Sequence, residues 1–139
     1  MRVTVVTLGV RDLVRARTFY VDGMGLVVAK GSNDNITFLD GAGVVLALYG
    51  RDALAEDAHV PPTVTEGFSG VTLAWNVGSR AEVDQGIARA AAAGAKICKP
   101  AQEAFWGGYS GYFADPDGHA WEIAHNPFWK LDAAGAVSL

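Results

Sequence analysis

Short apolar runs separated by turn residues dominate the chain, and this pattern predicts strands joined by tight turns. The first run, Arg2–Val10, is rich in β-branched residues and predicts a strand. A helix is predicted over Leu13–Val21, because Asp12 can cap it and apolar residues recur at helical spacing. Three further strands are predicted by the runs GLVVAKG, NITFLD and VVLALYG. The first half therefore has the order β-α-β-β-β.

The same order returns in the second half of the chain. Gly70–Val77 predicts a strand, and Ser79 with Glu82 three residues later forms a capping box for the next helix. That helix is predicted to end near Ala93, where a glycine follows. The runs AKICKP, GGYSGYFAD and HAWEIAH predict three more strands.

The two halves also match residue by residue, which indicates an internal repeat. FLDGAGVVLALYG aligns with FADPDGHAWEIAH, so Phe38 matches Phe113 and Asp40 matches Asp115. Each half alone is too small to be well stabilised. We therefore predict an α+β fold with a first βαβββ module at 1–50, a linker at 51–68 with a short helix at RDALAED, a second module at 69–127 and a tail at 128–139.

Composition and charge exclude several classes of function. The chain has 139 residues, of which half are apolar and 19% charged, as in ordinary globular proteins. Its net charge of −4 and the lack of a basic run argue against nucleic acid as a partner. No apolar stretch reaches membrane-spanning length, so no membrane association is expected. The single cysteine, Cys98, allows no internal disulfide and favours a cytoplasmic location.

Glu122 is the residue that most needs an explanation. It lies in the middle of the last predicted strand, between Trp121 and Ile123, where burying an unpaired charge is costly. It therefore faces either solvent or a cavity that uses it. A type I turn at DPDG, closed by a left-handed glycine, would place Tyr112 opposite Glu122, whereas a two-residue loop would place Phe113 there.

Two stretches resemble the vicinal oxygen chelate superfamily, which includes glyoxalase I, extradiol dioxygenases and the fosfomycin and bleomycin resistance proteins. LGVRDLVRARTFYVDGMGL resembles its first strand and helix, and DPDGHAWEI resembles its last hairpin. The resemblance covers residues 3–126. It implies two βαβββ modules that form a half-closed mixed β-barrel with helices on the outer faces. It also implies a homodimer, with modules paired either within a chain or across the dimer.

The resemblance further implies where a metal would be held. Family enzymes bind a divalent metal through four equivalent strand positions, which fall here on Val5, Ala47, Thr72 and Glu122. Only Glu122 is a normal ligand type, and a catalytic zinc site needs about three protein ligands. We therefore expect no cofactor and no metal site, with a divalent metal as the less favoured alternative.

The predicted cavity is mostly apolar, with one acid and a few hydroxyl groups, which is typical of a small-molecule site. Trp106 is included as a possible wall or lid, because it lies in a loop beside two glycines. Glu122 is also the candidate catalytic residue. The candidate ligand-binding residues are Glu122, Tyr112, Thr72, Trp106, Ser110, Thr37, Val5 and Ala47.

Three functions fit these observations. The favoured one is a metal-independent protein of the bleomycin-resistance type that binds a small aromatic or cationic organic molecule. The second is a glyoxalase-like lyase, isomerase or dioxygenase. The third is a metal-free enzyme in which Glu122 moves a proton and Tyr112 or Thr72 stabilises the developing oxyanion. An inert Glu122, hydrogen-bonded to Tyr112, is the alternative to all catalytic roles.

Overall fold

The chain divides into two compact units, Met1–Ser69 and Gly70–Leu139. The computed structural model describes residues 1, 3–41, 43–61 and 67–138. Residues 62–66 of the predicted linker therefore lie outside the described residues. None of the helices in the described part of the chain has the length and apolar run that crossing a membrane requires.

The first unit contains a three-stranded sheet with the order β1-β3-β2, in which β1 is parallel and β2 antiparallel to the central strand β3. Helix α1 continues directly into a wider π-helical segment, and the short helix predicted at RDALAED is present as α2. The elements are β1 (Val5–Val10), α1 (Leu13–Arg17), the π-helical segment (Thr18–Gly23), β2 (Ile36–Asp40), β3 (Val45–Gly50) and α2 (Arg51–Asp57).

The predicted cap of α1 is confirmed, but one predicted strand is wrong. Asp12 accepts a hydrogen bond from the backbone N–H of Arg15 at 3.0 Å. The run GLVVAKG forms only an isolated bridge between Val28 and Leu39. The Ser32 hydroxyl accepts the N–H of Phe38 at 2.9 Å and thereby takes the place of a strand partner.

The core of the first unit lies on one face of this sheet. The helical segment contributes Phe19 and Tyr20, which are buried and meet edge to face at 4.9 Å. The sheet contributes mainly leucines, which alternate with the residues of the opposite face. The buried residues on this face of the sheet are Leu8, Val10, Thr37, Leu39, Leu46 and Leu48.

The second unit contains a four-stranded sheet with the order β4-β7-β6-β5 and one long helix. The predicted tail includes a separate two-stranded hairpin, β8–β9, which sequence reasoning did not predict. The elements are β4 (Thr72–Asn76), α3 (Arg80–Ala92), β5 (Lys96–Glu103), β6 (Tyr109–Ala114), β7 (Ala120–His125), β8 (Lys130–Leu131) and β9 (Val137–Ser138).

Helix α3 covers one face of the second sheet closely. Ser79 accepts the N–H of Glu82, which confirms the predicted N-cap. A Cβ atom on Gly86 would lie 2.7 Å from Ile123 Cδ1, so the helix approaches β7 at a residue without a side chain. Tyr109 also donates a hydrogen bond to Asp84 of the helix at 2.9 Å. The face with Ile123 is therefore the core, and Glu122 points away from α3.

The internal repeat is visible in the pairing of the parallel strands. Val5 of β1 pairs with Val45 of β3, and the equivalent Thr72 of β4 pairs with Ala120 of β7. The sequence match between the two halves therefore corresponds to a shared β-α-β-β-β plan, which the second unit completes and the first follows without the strand predicted at GLVVAKG.

Candidate functional site

The face of the second sheet that points away from α3 carries the charged and polar candidates. We call it the Glu122 face. Strand alternation and the observed registers assign its members. They are Thr72, Ala74, Asn76, Lys96, Lys99, Gln102, Ser110, Tyr112, Ala114, Ala120, Glu122 and Ala124.

The turn between β6 and β7 sets the register at the centre of this face. Asp115 Oδ1 accepts the N–H groups of Asp117 and His119 at 2.9 and 2.8 Å, and its carbonyl accepts the N–H of Gly118 at 3.0 Å. Gly118 has φ of 93°, a conformation that glycine adopts without strain. Tyr112 therefore lies opposite Glu122, and the predicted register is confirmed.

Tyr112 and Glu122 lie directly opposite each other in the middle of the Glu122 face. Both side chains are half-buried. Burial raises the pKa of Tyr112 above its usual 10.0, and the hydrogen bond to Glu122 and the charge of that carboxylate raise it further. The phenol therefore keeps its proton well into the alkaline range and can donate a hydrogen bond to the carboxylate.

Lys99 completes a row of side chains across the sheet, and sequence reasoning missed it. Lys99 of β5 pairs with Tyr112, and its Nζ lies 5.6 Å from the centroid of the tyrosine ring. Ala74 continues the row beyond Glu122. Counting residues along β5 does not find Lys99, because the strand shifts its register between Ile97 and Lys99.

Three other predicted site residues belong to the same unit. Ser110 is buried opposite Ala124, and Thr72 is exposed on the edge strand β4 opposite Ala120. The ring of Trp106 lies where a Gly108 side chain would be, since a Cβ there would be 1.7 Å from its Cζ3. By alternation this is the end of the Glu122 face beyond Ser110.

The remaining predicted site residues belong to the first unit. Val5 and Ala47 share a face, as expected: Val5 pairs with Val45 and is exposed, whereas Ala47 pairs with Thr7 and is buried.

The expectation that Thr37 shares the face of Ala47 is wrong. Thr37 pairs with Leu48 and is fully buried on the leucine face. The reason is the length of the hairpin connection. Four residues separate Asp40 and Val45, the last pair of β2 and β3. Five residues separate Ala114 and Ala120, the last pair of β6 and β7. This difference of one inverts the strand face.

The residues at the four positions implied for a metal do not fit a resident divalent ion. Val5 and Ala47 have no donor atoms, and a threonine hydroxyl such as that of Thr72 is a poor ligand beside the single carboxylate of Glu122. Within the described residues, no three His, Cys, Asp or Glu side chains are grouped so that they could hold a metal.

Comparison with known proteins agrees with this fold. The sequence model of the Glyoxalase/Bleomycin resistance protein/Dioxygenase superfamily matches residues 2–123. The structure of a glyoxalase-related enzyme from Fulvimarina pelagi is 40% identical, with a TM-score of 0.90, and the match covers 100% of this chain and 98% of that one.

A lactoylglutathione lyase from Agrobacterium tumefaciens is 23% identical, with a TM-score of 0.70 and coverage of 94% and 97%, which shows a shared fold. No curated protein matches the sequence. The match to the family model spans most of the chain, and the 40% identical structure covers all of it. The chain therefore belongs to the Glyoxalase/Bleomycin resistance protein/Dioxygenase superfamily.

Proposed function

We propose that the Glu122 face binds a small organic molecule without a resident metal, as a bleomycin-resistance-like member of the superfamily. The observation that carries the proposal is the cross-strand pair of Tyr112 and Glu122, half-buried on the face that α3 does not cover. The side chains on either side of Glu122 along β7, Ala120 and Ala124, are small and apolar. A few polar groups among small apolar ones are typical of ligand sites.

The two residues have different parts in this proposal. Tyr112 is protonated at neutral pH, and its hydroxyl group, opposite Glu122, is the donor that would hold the carboxylate in place. A carboxylate has about four acceptor positions, and Tyr112 occupies one of them. Glu122 is therefore free to accept a hydrogen bond from a ligand. Thr72, Ser110 and Trp106 are proposed as further contacts, and Thr37 is not, because it lies on the core face.

A second candidate is a metal-free lyase or isomerase in which Glu122 moves a proton. The 40% identical structure, that of a glyoxalase-related enzyme, favours it. Glu122 would take a proton from the bound molecule, and Tyr112 or Thr72 would donate a hydrogen bond to the oxyanion that forms. A metal-dependent lyase or dioxygenase is disfavoured by the donor set, since it needs ligands that Val5 and Ala47 do not supply.

A cytoplasmic homodimer is also proposed. The resemblance to the superfamily supports the dimer, and exposed aromatic residues such as Phe105 and Phe128 are compatible with a protein contact. The exposed free thiol of Cys98 supports a reducing compartment. Sedimentation equilibrium of the full chain tests the dimer, and a purely monomeric protein contradicts it.

Metal titration tests the metal-free part of the proposal. Calorimetry of the chelator-treated protein with Ni²⁺, Zn²⁺, Fe²⁺ and Mn²⁺ is expected to give at most weak binding. Stoichiometric binding at micromolar affinity or tighter that is lost in Glu122→Ala would show that the protein holds a metal site that includes Glu122, and would contradict the metal-free proposal.

Amide NMR tests ligand binding with three probes that share a phenyl ring: benzoate, benzylamine and benzyl alcohol. At least one probe is expected to shift the amide resonances of β6 and β7 in a saturable manner. If none of the three shifts them, the proposed function fails. Glu122→Gln then separates the first two candidates, because a proton-transfer enzyme keeps binding and loses turnover in this variant, whereas a binding protein has no turnover to lose.

A further inference from the structure

We infer that Lys99 makes the Glu122 face selective for a small organic molecule with a single negative charge, namely a carboxylate. This inference deepens the proposed function and rests on it. It keeps the aromatic ligand expected from the sequence and replaces the cationic alternative with an anionic one.

The position of Lys99 depends on an irregularity in β5. Ile97 pairs with Phe113 on the face covered by α3, and in a regular strand Lys99 would share that face. The register shift at Cys98 instead places Lys99 opposite Tyr112. Gly111 accommodates the irregular strand, because a Cβ atom there would lie 3.0 Å from the backbone nitrogen of Ala101.

The ammonium group of Lys99 has no carboxylate partner among the described residues. Its contact is the ring of Tyr112, 5.6 Å from Nζ. Lys99 is half-buried on this face, and a ring face is a weak partner for a full positive charge. An anionic group bound beside Tyr112 would pair with the ammonium group and form a charge-assisted hydrogen bond.

Two features limit the ligand to one negative charge. Glu122 lies opposite Tyr112, the strand neighbour of Lys99, and its carboxylate repels a second negative charge on the ligand. The four strands of this sheet contain no arginine, the side chain that binds phosphate in a bidentate manner. A carboxylate at Lys99, with the rest of the molecule over Tyr112, pairs with the ammonium group and places no second negative charge beside Glu122.

The experiment measures dissociation constants by amide NMR for benzoate, benzylamine, benzyl alcohol and phenyl phosphate. Wild-type protein is expected to bind benzoate more tightly than the other three, with an affinity that falls as salt is added. Lys99→Met should weaken benzoate binding by about tenfold, and Lys99→Arg should largely retain it. Lys96→Met is the matched control, because Lys96 is exposed on the same strand and face.

The outcomes separate this inference from the proposed function. If no probe shifts β6 and β7, the proposed function fails and the inference fails with it. If benzylamine or benzyl alcohol binds best, or Lys99→Met leaves benzoate binding unchanged, the face binds ligands but the inference is wrong. Tightest binding of phenyl phosphate overturns the limit to one charge. An equal loss in Lys96→Met and Lys99→Met overturns the specific role of Lys99.

Discussion

The β2–β3 and β6–β7 hairpins come from equivalent stretches of the internal repeat, yet their strands pair differently. Phe38 pairs with Ala47 in the first, whereas the equivalent Phe113 pairs with Trp121 in the second. Thr37 is consequently buried in a leucine core, and its equivalent, Tyr112, faces the proposed ligand. A shift of one residue exchanges the two faces of a strand, so sequence equivalence does not carry a site from one module to the other.

The largest expected difference concerns the two equivalent phenylalanines. Phe113 is 2% exposed and stacks on Trp121 at 6.2 Å, whereas Phe38 is only half-buried. We expect Phe113→Ala to lower the free energy of unfolding by about 4 kcal/mol and Phe38→Ala by about 2 kcal/mol. Urea unfolding measures both, and equal losses would show that the two hairpins do not differ as described.

The second prediction concerns the turn that fixes the register of Tyr112. Asp115 is 5% exposed, and its side chain accepts two backbone N–H groups. Asp115→Ala leaves these donors without partners and should cost about 2 kcal/mol.

The β8–β9 hairpin offers a matched control for that turn. Asp132 Oδ1 accepts the N–H groups of Ala134 and Ala136 at 2.8 and 2.9 Å in the same arrangement, but it is exposed. Asp132→Ala should cost about 0.5 kcal/mol, because water can replace the lost acceptor. Urea unfolding compares the two variants, and a loss as large as that of Asp115→Ala would contradict the role assigned to burial.

The third prediction tests whether the buried hydroxyl group of Thr37 lowers stability. Its Oγ1 is buried and has no hydrogen-bond partner in the structure. Replacing the hydroxyl by a methyl group of similar size removes an unsatisfied polar atom, so Thr37→Val should raise stability by about 1 kcal/mol. Thr72→Val, on the exposed edge strand, should change it by less than about 0.5 kcal/mol. A clear loss of stability in Thr37→Val would show that the hydroxyl is satisfied in solution.

The smallest expected effect concerns Tyr112 itself. Its pKa in the folded protein is raised above 10.0, so the folded state holds this proton more tightly than the unfolded state does. Stability from this source is complete below pH 10 and is lost as the pH rises through the raised pKa. Tyr112→Phe should therefore lose less stability than wild type does between about pH 8 and alkaline pH above 10.

A second tyrosine, Tyr109, also contributes to the alkaline loss of stability and serves as the comparison for Tyr112. Its pKa is also raised, first by its hydrogen bond to Asp84, so some alkaline loss should persist in Tyr112→Phe. Urea unfolding at the two pH values is measured on wild type, Tyr112→Phe and Tyr109→Phe. An unchanged alkaline loss in Tyr112→Phe would show that the pKa of Tyr112 is not raised in the folded protein.

Local sequence signals were sufficient for features in which a side chain accepts a hydrogen bond from the backbone a few residues away. The caps at Asp12 and Ser79 and the turn at Asp115 follow from residue types at fixed spacings, and all three are confirmed. The pairing of Tyr112 with Glu122 followed from that turn. These features need no knowledge of distant contacts.

Sequence reasoning failed where strand pairing depends on contacts that residue types at fixed spacings do not determine. Thr37 was assigned to the wrong face because the connection after Asp40 is one residue shorter than its counterpart in the second unit. Lys99 was missed because β5 is irregular at Cys98. The strand predicted at GLVVAKG was reduced to a bridge because Ser32 binds the β2 backbone. The three errors thus have different causes: a hairpin connection, a register shift and a side chain in place of a strand partner.

The irregularity at Cys98 has a consequence for how this site changes in evolution. Deleting Cys98 would restore regular alternation and leave Lys99 opposite Tyr112, because Lys99 would then follow Ile97 directly. Drawing Cys98 into a regular strand of unchanged length would instead turn Lys99 towards the helix. The same lysine at the same place in an alignment can therefore lie on either face of the sheet, and the pairing of β5 with β6 decides which.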